Sequence, residues 1–516
     1  MIQALTQSRL RAIVWLALIA LLLYFASMLV RYPPAFVGVD LAVWQGDWKK
    51  MLCLLGGTDC GGLNKFPFAY LAMSGLLEAI SPLTAAVLSG LTEIRHPLAD
   101  AALGMSVMNA LFLLIPVGYF WWTDRADWCW RSLVYTMVIS ATALLPFYVV
   151  SGGLELQAGV LLGICVASAM RVFCAGDQRR RLLAILFASV LLAPLYKDAH
   201  LPIIGITFLL TLLAGWRSSR TALSVYLSTV RLPLAVAALA GLLSLSIILA
   251  YNYFRYSSVL PLGYINEAEY SRQSMSMVFS NLLAVLFSPN GGALVFWSFS
   301  LSILACCAWL LRVRFSTPVI KLCAVIFGLS VLISANWWSP FGWDGWGNRL
   351  LVPGMLAVII LLVSTLERRA LVVERATVTT RASTAKAVTG FGLFIVCVLS
   401  AVYVFVSYSG NRDAYLHDSL WGADSCEQMY TKVTSMDVLS FMTARLYQEC
   451  YADRFLRVPA LFALSTQVGL PAPLEAPPVI LPGSTFAVPK DLPRNLLRDG
   501  WSDIENWGVW SSGHNA

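Results

Sequence analysis

Uncharged apolar stretches of about twenty residues recur along this chain, and they constrain its fold more than any other feature. The first runs from Ala12 to Val30 and is flanked by Arg11 and Arg31. A helix needs about 20 apolar residues to cross a bilayer. Because the apolar core of a cleaved signal peptide is shorter, about 7–15 residues, we predict that this segment is a retained membrane helix.

Ten further apolar windows bring the predicted number of membrane spans to about eleven. They lie near residues 102–121, 132–150, 156–173, 182–197, 201–216, 232–252, 292–311, 319–337, 350–366 and 388–408. Lys197, Asp198 and His200 interrupt the pair at 182–197 and 201–216. Composition agrees with this interpretation: 58% of the 516 residues are hydrophobic and only 12% are charged. Such a chain lacks the polar surface of several soluble domains, and it is too apolar to be disordered.

The basic residues predict the orientation of the spans. When the N-terminus is placed in the cytoplasm, 19 of the 36 Lys and Arg residues fall on short cytoplasmic loops. Nine lie on the longer loops of the opposite face, before the C-terminal tail. Cytoplasmic loops carry the excess of Lys and Arg. We therefore predict a multi-pass protein of a bacterial inner membrane, with a cytoplasmic N-terminus and a periplasmic C-terminus. The net charge of +8 then reports topology, and no nucleic-acid partner is expected.

The predicted fold is mainly α, with two polar regions outside the membrane. Residues 1–408 form a transmembrane module, whose first periplasmic loop covers about 31–101. In that loop, Phe66–Ile80 and Pro82–Leu91 are apolar but too short to span, so we expect amphipathic helices along the membrane surface. Residues 409–516 form a tail that is Pro-rich near its end, and we predict a small periplasmic α/β unit there.

Four of the eleven cysteines fall in predicted periplasmic segments. They are Cys53, Cys60, Cys426 and Cys450, which form two local pairs. Disulfides persist in oxidising compartments such as the periplasm. We predict Cys53–Cys60 and Cys426–Cys450 bridges, and the alternative is that all four are free thiols.

Two carboxylates follow the first membrane helix closely. Asp40 and Asp47 stand among Trp44 and Trp48. Transfer of a sugar to a hydroxyl needs a base, or a carboxylate that holds a metal ion which activates the hydroxyl. The alternative is that both are solvated loop residues, with Asp47 paired to Lys50.

Three later segments combine aromatic residues, glycine and arginine at predicted membrane edges. They are Tyr251–Tyr264, Leu286–Trp297 and Asn336–Pro353, and they contain Arg255 and Arg349. Arginine binds phosphate through several hydrogen bonds in a fixed geometry. The alternative is interfacial anchoring, since Trp, Tyr and Arg all favour that depth.

In this order, the three segments resemble motifs of the bacterial polytopic glycosyltransferases of the GT-C superfamily, including the enzymes similar to dolichyl-phosphate-mannose–protein mannosyltransferases. The matching positions are Asn252, Arg255, Ser257, Gly263, Tyr264, Ser288, Pro289, Gly292, Trp338, Gly342, Gly345, Gly347, Arg349 and Leu350. The chain departs from the pattern at Asn348, where the family usually has proline, and at Tyr256 and Ser258. The resemblance covers roughly residues 1–410.

The resemblance implies a hexosyl- or pentosyltransferase that takes sugar from a polyprenyl-phosphate donor. It implies that Asp40, or second Asp47, is the base, and that Asp40 is a possible ligand of Mg²⁺ or Mn²⁺. It implies donor-phosphate binding by Arg349, Arg255 and Lys197. The substrate-lining residues it implies are Trp44, Tyr256, Tyr264, Trp338, Trp343, Asp344 and His200. The acceptor would be a cell-surface glycan, lipid or protein.

Two other functions fit a polytopic protein of this kind. A flippase or transporter of a lipid-linked sugar would need polar residues inside its spans, and these are scarce here. An O-antigen ligase or polymerase would carry its large external loop late in the chain, whereas here the polar mass is divided between the first loop and the tail.

Overall fold

The computed structural model describes most of the first two-thirds of the chain. The described residues are 7–31, 44, 46–57, 63, 66–91, 99–142, 148–149, 153–262, 275–287, 292–310, 315–336, 348–366, 478–480 and 487–489. Within them the protein is mainly helical, as predicted.

The helices, numbered in chain order, have the following bounds. They are α1 (Gln7–Arg31), α2 (Asp47–Leu55), α3 (Phe68–Leu91), α4 (Ala99–Thr123), α5 (Trp128–Ser140), α6 (Glu155–Phe173), α7 (Arg180–Tyr196), α8 (His200–Ser219), α9 (Leu223–Thr229), α10 (Arg231–Tyr256), α11 (Met275–Phe287), α12 (Ala293–Phe296), α13 (Ser298–Leu310), α14 (Thr317–Asn336) and α15 (Val352–Ser364). A short 3-10 turn, Arg349–Leu351, leads directly into α15.

Six of the described helices are long and apolar enough to cross a membrane. They are Phe68–Val87 within α3, Ala101–Thr123 within α4, and the whole of α6, α8, α10 and α14. The last five coincide with windows that the sequence predicts as spans. These helices are those of a membrane protein, as the apolar windows predict.

Helix α3 corrects one sequence prediction. Two separate helices were expected on either side of Ser81, but one continuous helix of 24 residues runs through Pro82. Proline lacks an N–H and disfavours a helix interior. The carbonyl that loses its partner is that of Glu78, four residues before Pro82, and apolar helices tolerate such a proline where neighbouring groups satisfy the freed carbonyl.

The first predicted span, Ala12–Val30, lies within α1, a helix of 25 residues. The remaining predicted spans correspond to shorter helices or lie outside the described residues. Helix α5 ends at Ser140, and α7 has 17 residues. The window 292–311 is divided into α12 and α13 at Trp297. The window 388–408 is outside the described residues, so the count of eleven spans remains a prediction.

Helices α6 and α15 form the centre of the bundle, and they pack on each other more extensively than any other described pair. Nearly every residue of both is buried. The close approach depends on Gly159 and Gly163, one turn apart on α6. A Cβ atom on Gly159 would lie 2.8 Å from the Cα of Pro353, and one on Gly163 would lie 3.0 Å from the Cα of Ala357. Small residues at this spacing let helix backbones meet in membranes.

At one end of the bundle, arginine side chains bind the last carbonyls of neighbouring helices. Arg171 and Arg179 both donate to the carbonyl of Thr123, at 3.0 and 2.6 Å. Arg131 donates through Nε to the carbonyl of Leu366 at 3.2 Å. The last carbonyls of a helix have no partner within it, and positive charge is favourable there. We call this the arginine end.

Two short strands are described in the C-terminal tail. β1 (Pro478–Ile480) pairs antiparallel with β2 (Ala487–Pro489), with Val479 opposite Val488. The rest of the tail is outside the described residues.

Candidate functional site

The opposite end of the bundle gathers the first residues of α6 and α8, the last residues of α7 and α10, and the turn before α15. Helix α6, with 19 residues, separates this end from the arginine end by about 28 Å. The ionisable residues of this end are Asp47, Glu155, Lys197, Asp198, Arg255 and Arg349. We call them the charged cluster. Since ionised groups at the edge of an apolar bundle are costly, their concentration here marks the candidate site.

Glu155 and Arg349 form a buried ion pair across 194 positions of sequence. Arg349 Nε lies 2.5 Å from Glu155 Oε1, and the two side chains are only 12% and 6% exposed. Glu155 is the first residue of α6, where the helix dipole favours a negative charge. The pair therefore joins the turn before α15 to the start of α6, at the end of the glycine-lined contact between these helices.

A hydrogen-bonded amide pair holds the start of α6. The Gln157 side chain donates to Asn109 of α4 at 3.0 Å, and the Asn109 amide donates to the carbonyl of Tyr148 at 3.1 Å. All of these residues are buried. Because Gln157 is two residues from Glu155, this network also fixes the place of the carboxylate.

Lys197 lies at the turn between α7 and α8, within electrostatic range of the Glu155 carboxylate. In the described part of the chain it forms no hydrogen bond or ion pair through its side chain. His200, at the start of α8, is 3% exposed, and its Nδ1 atom has no hydrogen-bond partner among the described residues. Among the described residues, therefore, no hydrogen bond or ion pair holds the Lys197 side chain, and no hydrogen bond uses the Nδ1 atom of His200, three residues later.

Arg255 near the end of α10 is held on several sides. It donates to the carbonyl of Phe66 at 2.7 Å and to Asn252 Oδ1 at 2.6 Å. Its guanidinium carbon lies 4.0 Å from the ring centre of Tyr251 and 4.8 Å from that of Tyr256. Stacked and hydrogen-bonded arginine is well ordered. In this arrangement Arg255 fixes the segment before α3 to the end of α10.

The segment after the first membrane helix packs onto α3. The ring of Trp44, fully buried, meets the ring of Tyr70 edge to face at 5.3 Å. The backbone N–H of Trp48 donates to the Ser74 hydroxyl at 3.2 Å. Asp47, between the two tryptophans, is 1% exposed and is not a solvated loop residue. The sequence alternative in which Asp47 is merely solvated is therefore wrong.

Asp47 and Asp198 approach the same part of the cluster from different elements. Both act electrostatically on the Tyr251 hydroxyl, as does Arg255. Asp198 is half-buried in the turn between α7 and α8. Burial raises the pKa of its carboxyl to about 6, and Arg255 partly opposes that rise. The charged cluster therefore contains a carboxyl group whose pKa lies closer to neutral pH than that of an ordinary aspartate.

Several residues predicted from sequence lie outside the described residues. They are Asp40, Tyr264, Trp338, Trp343, Asp344, Cys60, Cys426 and Cys450. Cys53 is disulfide-bonded, but because Cys60 is outside the described residues, the pairing of the two stays a prediction. Among the described residues, no group of three or more His, Cys, Asp or Glu is placed to hold a metal ion. The divalent cation therefore remains a prediction that concerns Asp40.

Of the predicted site residues that are described, the structure brings together Asp47, Lys197, His200, Arg255, Tyr256 and Arg349, with Trp44 packed beside them. Sequence reasoning missed Glu155 and the amide pair beneath it. One signal was available: a single acid stands at the beginning of an apolar window whose other charged residue, Arg171, is near the far end, and intramembrane acids usually have a partner.

No protein-family model matches the chain, and neither a curated protein nor a solved structure shows a significant match to it.

Proposed function

We propose that this chain is an integral-membrane glycosyltransferase that moves a hexose or pentose from a polyprenyl phosphate to a hydroxyl group. The acceptor belongs to a glycan, lipid or protein of the cell envelope. The reaction takes place on the periplasmic face of a bacterial inner membrane, with the N-terminus in the cytoplasm and the tail in the periplasm. Disulfides Cys53–Cys60 and Cys426–Cys450 stabilise the periplasmic segments in this proposal.

The observation that carries the proposal is the charged cluster at one end of an apolar helix bundle. It combines three carboxylates with three basic side chains, beside the rings of Trp44, Tyr251 and Tyr256. A sugar phosphate on a lipid needs these three kinds of group: cations for the phosphate, aromatic faces for the sugar and a carboxylate for the acceptor proton.

Lys197 is the first candidate to bind the donor phosphate, because its ammonium is uncommitted among the described residues. Arg349 is the second, since its guanidinium lies at the same edge, where its Nε binds Glu155. As the sugar leaves, negative charge grows on the phosphate oxygen. Fixed cations at that position stabilise the transition state.

The transfer itself requires one proton movement. A carboxylate takes the proton of the acceptor hydroxyl while the hydroxyl oxygen forms a bond to the anomeric carbon. The bond from that carbon to the phosphate oxygen breaks, and its electron pair stays on polyprenyl phosphate. From the sequence, Asp40 is the first candidate for this carboxylate, and Asp47 is the second.

The test is a transfer assay with the full chain in lipid nanodiscs. Polyprenyl-phosphate hexoses and pentoses carrying a labelled sugar are incubated with envelope lipids, glycans and peptides, and labelled product is measured. Loss of transfer in Asp40→Asn is the expected result if Asp40 is the base. Lys49→Gln is the control, because Lys49 is a 73% exposed residue of the same segment.

Absence of transfer by the wild-type protein across donors and acceptors would refute the proposal. In that case, movement of intact labelled donor between the leaflets of a vesicle would identify a flippase. Joining of preformed glycan chains would identify a ligase or polymerase instead.

A further inference from the structure

Three carboxylates of the charged cluster are described, and they differ in how far their oxygens are already used. Glu155 is bound to Arg349 and is only 6% exposed. Asp47 is 1% exposed at the start of α2 and has other interactions. The side chain of Asp198 is half-buried, and within the described residues it accepts no hydrogen bond.

A general base must reach the proton that it removes, and it needs a lone pair that no other donor occupies. Glu155 and Asp47 both fail the first requirement, because both are buried. Asp198 meets both. It also follows Lys197 directly, so its carboxylate and the uncommitted ammonium lie on the same turn between α7 and α8.

We propose that Asp198 is the general base that deprotonates the acceptor hydroxyl. The proposal rests on the proposed function. It assigns the role of general base to Asp198 instead of Asp40 or Asp47, the two candidates from the sequence. The proton moves from the hydroxyl to Asp198, the hydroxyl oxygen bonds to the anomeric carbon, and the phosphate leaves with the electron pair beside Lys197. Asp47 and Arg255 lie near the same Tyr251 hydroxyl, on the α2 and α10 sides.

The surroundings of Asp198 suit this role. Lys197 and His200 flank it on its own turn, Arg255 and Tyr251 face it from α10, and Asp47 approaches from α2. Burial raises the pKa of Asp198 to about 6, which places it near the working pH of a periplasmic base. The carboxylate accepts protons only when ionised, so the rate should fall as the pH drops below about 6.

The alternative for Asp198 is a purely structural role at the start of α8. Its backbone carbonyl accepts from the N–H of Leu201 at 3.0 Å, and such a role would affect folding without shaping the pH profile. The two roles are separated by measuring kcat, donor KM and their dependence on pH.

The experiment compares wild type with Asp198→Asn, Asp198→Glu, Asp47→Asn and Asp40→Asn in nanodiscs, with labelled polyprenyl-phosphate sugar as donor. For Asp198→Asn we expect kcat to fall about 100-fold or more, with donor KM within about threefold of wild type, because a lost general base typically costs at least this factor. The acidic limb of the pH profile should disappear. Asp198→Glu should restore part of kcat, with a displaced acidic limb.

Each outcome decides the matter. If wild type transfers sugar and Asp198→Asn keeps both its kcat and its acidic limb, Asp198 is not the base while the proposed function stands. If Asp40→Asn alone removes the limb, the base is Asp40. If wild type transfers no sugar, the proposed function and this inference fall together. Should Asp198→Asn not fold, the unchanged or displaced limb of Asp198→Glu gives the answer.

Discussion

Replacing Glu155 by glutamine would remove the carboxylate that pairs with Arg349 in a place where water scarcely reaches. The side chains of the pair are 6% and 12% exposed, and the atoms are 2.5 Å apart. Removing one partner of a buried pair costs about 3–5 kcal/mol in free energy of unfolding. Because glutamine keeps an oxygen that can accept the Arg349 hydrogen bond, we expect about 3 kcal/mol, the lower end of that range.

A matched control lies on the same molecule. Lys49 and Glu78 form an ion pair of 3.3 Å, but these side chains are 73% and 37% exposed. Exposed pairs contribute about 0–1 kcal/mol, so Glu78→Gln should be nearly neutral. Glu155→Gln and Glu78→Gln are the same chemical substitution, so the difference between their effects on stability reports the burial of the ion pair.

The assay is reversible unfolding by SDS in mixed micelles, followed by tryptophan fluorescence. It is applied to Glu155→Gln, Arg349→Gln, the double variant and Glu78→Gln. The double variant, Glu155→Gln with Arg349→Gln, removes both buried charges. Its loss in free energy of unfolding should therefore be about 2 kcal/mol smaller than the sum of the two single losses. A cost of Glu155→Gln no larger than that of Glu78→Gln, or a coupling near zero, would refute the reasoning.

Three further changes test other parts of the structure. Gly159→Ala should lower the melting temperature, because a Cβ there meets the α15 backbone, whereas Gly205→Ala, with open space around its Cβ position, should be neutral or slightly stabilising. Asp198→Asn should raise the free energy of unfolding at pH 8 but not at pH 4. Because the pKa of Asp198 is raised from 3.8 to about 6 in the folded protein, the protonated acid favours the fold, and the wild type loses about 3 kcal/mol of stability as the pH rises through that interval. Equal melting temperatures of wild type and Asp198→Asn at pH 8 would contradict this. Arg131→Gln should destabilise the protein by about 3 kcal/mol, because it breaks the ion pair with Asp124 and the hydrogen bond to the Leu366 carbonyl. Donor KM should stay unchanged, because the arginine end is remote from the charged cluster.

The sequence predicted those features that depend on local apolar content. Five of the six described helices able to cross a membrane coincide with apolar windows, since a span is defined by its own length and lack of charge. The division at Pro82 was wrong because proline breaks helices mainly through an unsatisfied carbonyl. Neighbouring groups in an apolar bundle can remove that cost, and the sequence pattern does not show which groups lie there.

The site was predicted in part, and the missing part is non-local. Lys197, Arg255 and Arg349 stood out as basic residues at helix edges. Their partners did not stand out, because Arg349 and Glu155 are 194 positions apart in the sequence and meet only in the folded chain. For the same reason Arg255 was expected to be available to a phosphate, whereas its contact with the Phe66 carbonyl joins residues 189 positions apart.

The glycine-lined contact between α6 and α15 has a consequence for biosynthesis. Helix α6 ends at Phe173, and α15 begins only at Val352, so the partner of α6 is made much later. At about 5–20 residues per second, the ribosome needs on the order of 10 to 40 s to supply it. Throughout that interval Glu155 has no Arg349, and the backbone at Gly159 faces lipid or another helix. We therefore expect the centre of this bundle to be among the last parts of the protein to assemble, and chains arrested before α15 to be preferred substrates of membrane proteases.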